Sequence, residues 1–184
     1  MADEEKSELE KKVMEGIHGQ PELKKGEKDR FLGQFAERVI RYLSYKQVKE
    51  DGIYPEIMEA LRHPQAAKLL VSRDVDLEQA NEYIKLARDK DLTFRRVDSP
   101  ELKGEVALVV AADEAVNIQK KEVQDRREKL QNLGIPDSII DNAGGALCPS
   151  CWSMLEEKAP EELINYRKIN FLEKLLGSKC INCQ

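Results

Sequence analysis

Two C-x-x-C pairs near the C-terminal end constrain this chain more than any other feature. Cys148 and Cys151 form the first pair, Cys180 and Cys183 form the second, and the 184-residue chain has 4 cysteines in all. A C-x-x-C turn brings two sulfur atoms together, so two such turns can supply the four thiolates of a tetrahedral zinc site. The pattern therefore predicts a four-thiolate metal site. Zinc is the expected metal, and iron is the second candidate because it also suits four thiolates.

Two other interpretations of the cysteines stay open. One is redox chemistry, but a thioredoxin-type C-x-x-C motif opens a helix after a strand and needs one pair only. The other is four unrelated free thiols, which two matched pairs make improbable. A site closed by four thiolates has no open coordination position, so a metal held there is expected to be structural and not catalytic.

The 28 residues between the two pairs are predicted to hold folded structure. Their apolar residues suggest two helices interrupted near Pro160, with Gly177 ending the second helix. Trp152, the only tryptophan of the chain, is expected to pack in the small core of this module. The apolar residues of this stretch are Leu155, Leu163, Ile164, Tyr166, Ile169, Phe171, Leu172, Leu175 and Leu176.

Composition and motifs exclude several classes of function. The segment MADEEK at 1–6 has neither a basic nor an apolar signal region, so we expect a cytoplasmic protein, in which clustered cysteines favour metal over disulfides. No apolar run approaches the roughly 20 residues of a membrane span. The net charge of -5 argues against general nucleic-acid binding. The sequence has no phosphate-binding glycine motif and no H-E-x-x-H motif, so we expect neither an enzyme nor a small-molecule substrate.

Hydrophobic periodicity predicts an α+β core, a small mixed sheet with flanking helices. Asp76 is expected to cap the third helix, which together with its neighbouring strands makes a βαβ-sized unit. Asp113 is expected to cap the fourth helix, whose apolar residues Val116, Val123 and Leu130 lie seven apart. The predicted elements are helices at 31–48, 54–63, 77–90 and 114–133, and strands at 68–72, 92–97 and Val106–Ala112.

The predicted organisation has three parts. Residues 1–29 form a polar N-terminal arm, mobile at its start. Residues 30–145 form the α+β core domain, and residues 146–184 form a helical four-cysteine module. Ala143-Gly144-Gly145-Ala146 is the predicted hinge between the last two parts.

Several separate motifs resemble one protein family in the same order. They are GIHGQPEL at 16–23, FLGQFAERV at 31–39, YPE at 54–56, the strand at 68–72 and VALVVAAD at 106–113. Together they resemble the YueI-like proteins of Bacillus-type bacteria, a family without an assigned activity, over residues 15–125. The resemblance implies that the part of the N-terminal arm around His18 is ordered. It does not extend to the cysteine module.

The fold that this resemblance implies is similar to that of kink-turn-binding ribosomal proteins. In those proteins a polar motif at the start of an early helix contacts RNA, and its nearest counterpart here begins at Ser44. The match is incomplete, because an Asn-Glu pair is missing and residues 49–55 interrupt the connection to the next strand. The candidate RNA-binding residues are Arg41, Tyr45, Lys46, Gln47, Arg95 and Arg96.

These observations predict a non-enzymatic, zinc-containing accessory protein. Its expected partner is structured RNA or the ribosome, reached through a local basic patch. The alternative is a protein-interaction adaptor, or a redox- or metal-responsive regulator, that makes no contact with RNA.

Overall fold

The larger of the two sheets in the described part of the chain is four-stranded and mixed. The structure, a computed structural model, describes residue 28 and residues 30–98 and 105–183. The predicted arm, residues 1–29, therefore lies outside the described residues except for residue 28. The strands of the sheet are β1 (Val39–Ser44), β2 (Ala66–Ser72), β3 (Thr93–Val97) and β4 (Val106–Ala112). Their order is β1-β4-β2-β3; β4 runs antiparallel to β1 and β2, and β2 runs parallel to β3.

Strand β4 lies at the centre of the core because each of its residues is apolar and buried. Leu108 and Val110 pack into a large cluster on one face of the sheet, whereas Val109 and Ala111 pack into a smaller cluster on the other. Alternate residues of a strand point to opposite faces, so an uninterrupted apolar run requires cover on both. The predicted strand at this position is confirmed.

Three helices accompany the first three strands. They are α1 (Tyr45–Val48), α2 (Pro55–Leu61) and α3 (Leu77–Asp89). The carboxylate of Asp76 accepts a hydrogen bond from the Glu78 backbone N–H (3.0 Å) at the start of α3, as the predicted cap requires. The α+β fold class and the unit formed by β2, α3 and β3 are therefore confirmed.

The helix predicted over residues 31–48 is wrong over residues 31–44, and only its last four residues are α-helical, as α1. Leu32 and Gly33 have positive φ angles of 52° and 81°, which a helix does not allow, and the chain then enters β1. Both faces of β1 are covered, so its buried residues come in pairs separated by one less buried residue. This spacing of three imitates the period of a helix.

The helix predicted over residues 114–133 is also wrong over its first two thirds. Residues 114–125 follow the edge of β1 in an extended course, and the Tyr42 N–H donates to the Lys121 carbonyl (3.1 Å). Helix α4 (Arg126–Asn132) begins after Asp125, whose carboxylate accepts from the Glu128 N–H (3.3 Å). Asp113 forms an ion pair with Lys68 (2.7 Å) instead of capping a helix.

A smaller unit follows the sheet. It comprises α5 (Asp137–Ile140), β5 (Ala146–Leu147), α6 (Pro149–Lys158), a 3-10 turn (Pro160–Asn165), β6 (Arg167–Lys168) and α7 (Phe171–Leu175). Strands β5 and β6 pair in parallel. The two predicted helices between the cysteine pairs are therefore only partly correct, because a 3-10 turn and β6 separate α6 from α7.

The core of the smaller unit draws on residues from both sides of the predicted boundary at residue 146. Leu130 and Ile139 pack in the same cluster as Leu147 and Leu155, with Trp152 partly buried against them. The predicted place of Trp152 is confirmed, while the predicted domain boundaries stay a prediction. No helix in the described part of the chain is long and apolar enough to cross a membrane.

Candidate metal centre

The four cysteines meet at one end of the smaller unit. Cys148 directly follows β5 and is the N-cap residue of α6, and Cys151 lies in the first turn of that helix. The second pair is held against β5 by the Ile181 N–H, which donates to the Ala146 carbonyl (3.1 Å). The short β5–β6 sheet thus positions two turns that are distant in the sequence.

The sulfur geometry fits a tetrahedral ion. All four Sγ atoms lie within 4.8 Å of one another. The Sγ of Cys183 is 3.9 Å from that of Cys148 and 3.4 Å from that of Cys151. Zinc–sulfur bonds of about 2.3 Å in a tetrahedron place neighbouring sulfurs roughly 3.8 Å apart. The cluster could therefore hold a metal ion with little movement of its ligands.

The protonation of the thiols shows why this cluster suits a cation. Burial raises the pKa of Cys151 to about 12, although the Asn182 side chain donates to its sulfur. Burial also opposes ionisation of Cys180, but backbone N–H groups from both C-x-x-C turns outweigh it and lower its pKa to about 6. Four adjacent thiolates would repel one another without a cation, so metal binding has to release protons from this set.

Three residues outside the cysteines support this geometry, and the sequence gives no signal for this role in any of them. The Asn182 side-chain amide donates to the Cys151 sulfur (3.3 Å), and its oxygen accepts from the Ser138 hydroxyl (2.5 Å). Gly145 packs so closely that a Cβ atom there would lie 2.8 Å from the Ile181 side chain. The segment predicted as a hinge is thus packed against the second cysteine turn.

One local feature matches the redox interpretation. Cys148 follows a strand and opens a helix, which is the placement of a thioredoxin-type motif. A redox-active disulfide needs only its own pair, whereas here Cys183 lies 3.4 Å from Cys151. The second pair therefore completes a four-sulfur site around the first.

A buried ion pair links the start of α4 to the 3-10 turn of the smaller unit. Arg126 is 3% exposed and Glu162 is 1% exposed, and the Arg126 Nε lies 3.5 Å from the Glu162 Oε2. The Arg126 guanidinium also stacks 4.5 Å from the centre of the Tyr54 ring. Asn165 donates to Glu162 (2.9 Å) and to the carbonyl of Ile53 (2.8 Å). Arg126 and its neighbour Arg127 both lie on α4, but the Arg126 side chain is buried whereas the Arg127 side chain is half exposed.

The polar motif compared with an RNA-binding motif makes contacts within the protein. The Gln47 side chain is buried, donates to the Val123 carbonyl (2.8 Å) and accepts from the Ser44 N–H (2.8 Å). Tyr45 donates to the Ser72 hydroxyl (2.6 Å), and Lys46 forms an ion pair with Asp125. Of the three candidates here, only Lys46 presents a largely exposed side chain.

The candidate arginines do not form one patch. Arg41 lies on β1 and donates to the carbonyls of Ile40 and Lys120. Arg95 and Arg96 lie on β3, where Arg96 donates to the carbonyls of Arg73 (2.7 Å) and Val75 (3.1 Å). Strands β1 and β3 are the opposite edges of the four-stranded sheet, roughly 14 Å apart at about 4.8 Å per strand.

The first two thirds of the chain have known relatives. Residues 6–122 match a family model described as a protein of unknown function (DUF1694). The uncharacterized protein YueI of Bacillus subtilis (strain 168) is 30% identical over 113 residues, which cover 61% of this chain and 86% of that protein. The crystal structure of the YueI protein from Bacillus subtilis matches with a TM-score of 0.54 at 28% identity. This match covers 64% of this chain and 92% of the solved chain. The four cysteines lie beyond the residues that the family model matches.

Proposed function

Since the chain belongs to the DUF1694 family, we propose that it is a non-enzymatic accessory protein whose family domain carries a structural zinc module. The family match ends at residue 122, before α4 and the cysteines, so the module lies outside the matched region. The module packs against the family domain where the Arg126 guanidinium stacks on the Tyr54 ring and the Asn165 side chain donates to the Ile53 carbonyl (2.8 Å).

One observation carries the metal assignment: four sulfur atoms from two distant turns lie within 4.8 Å of one another. Zinc is preferred because it takes four thiolates in a closed tetrahedral site with no geometric demand of its own. Iron is the second candidate, since it accepts the same donor set. Four protein ligands leave no position for a substrate or an activated water, which supports a structural role.

Metal analysis of the purified full-length protein tests this function. We expect about one equivalent of zinc per chain after purification without added metal, because a site of this type binds as the protein folds. Less than about half an equivalent of zinc or iron, with all four thiols reacting as free thiols, would contradict the four-thiolate site. One equivalent of iron would support the four-thiolate site but show that its metal is iron and not zinc.

For the partner, the described contacts favour a protein over RNA. Gln47 and Tyr45 use their polar atoms inside the protein, and the candidate arginines lie on opposite edges of the sheet. Binding to RNA depends on several cationic groups that face the phosphates together. RNA binding was predicted from the resemblance and stays a prediction.

Co-sedimentation with ribosomes across a salt series separates the two partner classes. We expect the protein to remain in the supernatant at low and high salt alike, because its candidate cations do not converge. An Arg95→Ala/Arg96→Ala variant serves as the matched control. Binding at low salt that weakens steeply with added salt, and that this variant loses, would support RNA instead.

A further inference from the structure

Helix α7 presents four large apolar side chains to solvent. Phe171 is 81% exposed, Leu172 66%, Leu175 76% and Leu176 85%. At about 100° per residue these positions span roughly 140° of the helix circumference, so they form one continuous face. We call these four residues the α7 face.

The α7 face is part of a well-formed helix. Asn170 and Glu173 make a capping box with hydrogen bonds of 2.8 and 2.9 Å, and Glu173 also pairs with Arg167 (2.6 Å). Gly177, at a φ of 88°, ends the helix, after which the Ser178 N–H donates to the Glu173 carbonyl (2.9 Å). The exposed side chains are therefore held in place by both ends of the helix.

The core of the smaller unit does not need the α7 face. Tyr166 and Ile169, just before α7, are buried in that core. An aromatic side chain alone carries roughly 150 to 250 Å², so the mostly exposed Phe171 and three leucines together present on the order of 500 Å² of apolar surface. This is as large as the largest apolar patch of a typical monomeric protein, and such patches are often binding surfaces.

We propose that the α7 face is a dimer interface that binds the same face of a second copy of this chain. Two such faces together would bury on the order of 1,000 Å², which is about the lower limit for a specific protein interface. The central residues are aromatic and aliphatic, as the cores of homodimer interfaces are. This interface does not depend on which metal the cysteines hold.

The charges beside the α7 face fit a two-fold pair of parallel helices. On the helix, Glu173 follows one border of the face and Lys174 follows the other. In a parallel pair each Lys174 lies beside the Arg167–Glu173 ion pair of the second copy, whereas an antiparallel pair would bring the two Lys174 side chains together. The charge pattern therefore selects the parallel arrangement.

A membrane surface fits the α7 face less well. Anionic lipids attract clusters of free basic side chains around an inserted apolar face. Here Arg167 is paired with Glu173, and the Lys168 ammonium lies over the Trp152 ring at 5.5 Å. Two of the nearby basic groups thus have partners within the chain.

The mass of the full-length protein in solution tests the proposal. We expect light scattering after gel filtration to give twice the mass of one chain at about 100 µM, because interfaces of this size often bind in the micromolar range. A Leu172→Glu/Leu175→Glu variant should be monomeric, with the dissociation constant raised at least tenfold, since the two faces would then bury like charges. Leu77→Glu, at a partly exposed leucine of α3, is the control and should remain dimeric.

A second variant tests the arrangement without altering the α7 face. Lys174→Glu places like charges beside Glu173 of the second copy and should raise the dissociation constant several-fold in low salt. Circular dichroism and metal content must match the wild-type protein for each variant, which separates a lost interface from a lost module. A monomeric wild-type protein, or a dimer that survives the double substitution, would overturn the proposal. A monomer that co-sediments with vesicles of phosphatidylcholine and phosphatidylserine would assign the face to a membrane instead.

Discussion

Replacing Cys151 by serine is expected to abolish metal binding and unfold the smaller unit while the four-stranded sheet stays folded. Cys151 is the buried ligand at the first turn of α6, and a serine hydroxyl is a poor replacement for a zinc thiolate. Structural zinc contributes on the order of 10 kcal/mol to the folding of small zinc-dependent units. Cys151 and Cys180 are themselves part of the buried core of this unit, so loss of the metal also disturbs that core.

Trp152 makes the effect measurable in the smaller unit alone. It is the only tryptophan of the chain and packs partly buried beside Cys151. We expect its emission to shift to longer wavelength in Cys151→Ser and in the wild-type protein treated with a strong chelator. In both cases the far-ultraviolet circular dichroism spectrum should retain the signal of the four-stranded sheet and its helices.

The control for this substitution is Ser153→Ala, which changes an exposed side chain of the same helix. It should keep both the metal and the wild-type emission. If Cys151→Ser retained a full equivalent of metal, or if chelation left the Trp152 emission unchanged, the cysteines would not hold the unit together. Redox chemistry at the first C-x-x-C pair would then be the better interpretation, because Cys148 and Cys151 lie at the start of a helix that follows a strand.

Replacing Arg126 by methionine is expected to destabilise the protein by about 3–5 kcal/mol. Breaking a buried ion pair leaves the remaining charge buried without compensation, and that cost is larger than the value of the pair itself. Here the remaining charge is the Glu162 carboxylate, which is 1% exposed and whose remaining cationic neighbour, the Lys129 ammonium, lies 3.7 Å from its Oε1. Denaturant unfolding, monitored by circular dichroism, measures the loss.

Two further variants isolate the buried pair. Arg127→Met removes the same side chain from the next position, where it is half exposed and pairs with Asp137 and Asp141. That variant should lose no more than about 1 kcal/mol, since exposed ion pairs contribute little. Adding Glu162→Leu to Arg126→Met should restore much of the lost stability, because an apolar pair can replace a buried ionic one. Equal losses in the two arginine variants would show that the pair is not a specific contact.

The destabilisation of Arg126→Met should also depend on pH. Burial raises the pKa of Glu162 in the native protein, and Arg126 acts against that rise. Without Arg126 the folded-state pKa rises further, so the folded variant binds a proton that the unfolded chain does not. The stability of the variant relative to wild type should therefore improve as the pH falls through the Glu162 folded pKa toward the unfolded value. A difference that does not change between pH 8 and pH 5 would contradict this origin.

The elements predicted correctly from the sequence are those whose signal is local. The run of β4 is apolar at every position, and Asp76 caps α3 through a contact two residues away. The two failures, at residues 31–48 and 114–133, share one cause. Tyr42 and Val123 are buried by contacts with distant parts of the chain, so their apolar spacing reports tertiary surroundings and not helical period.

The cysteine site was predictable because residue type and spacing alone identify cysteines as candidate metal ligands. Two C-x-x-C pairs identify the four candidate ligands without any knowledge of the fold. Asn182, Ser138 and Gly145 carry no such signal, since their roles arise from where β5 places the second pair. The burial of Arg126 is a further case, because its neighbour Arg127 has the same residue type and lies at the surface.

The sequence by itself determined which residues can bind a metal, where the apolar strand β4 runs and which family the first two thirds of the chain resemble. Only the tertiary structure decided that the four sulfurs meet, that the candidate arginines lie on opposite edges of the sheet, and that the described residues leave the α7 face exposed. The physical reason is that residue type and local spacing fix what a side chain can do, whereas burial and juxtaposition depend on segments that are far apart in the chain. Phe171 and Tyr166 illustrate this, because both belong to the same apolar pattern and only one is buried.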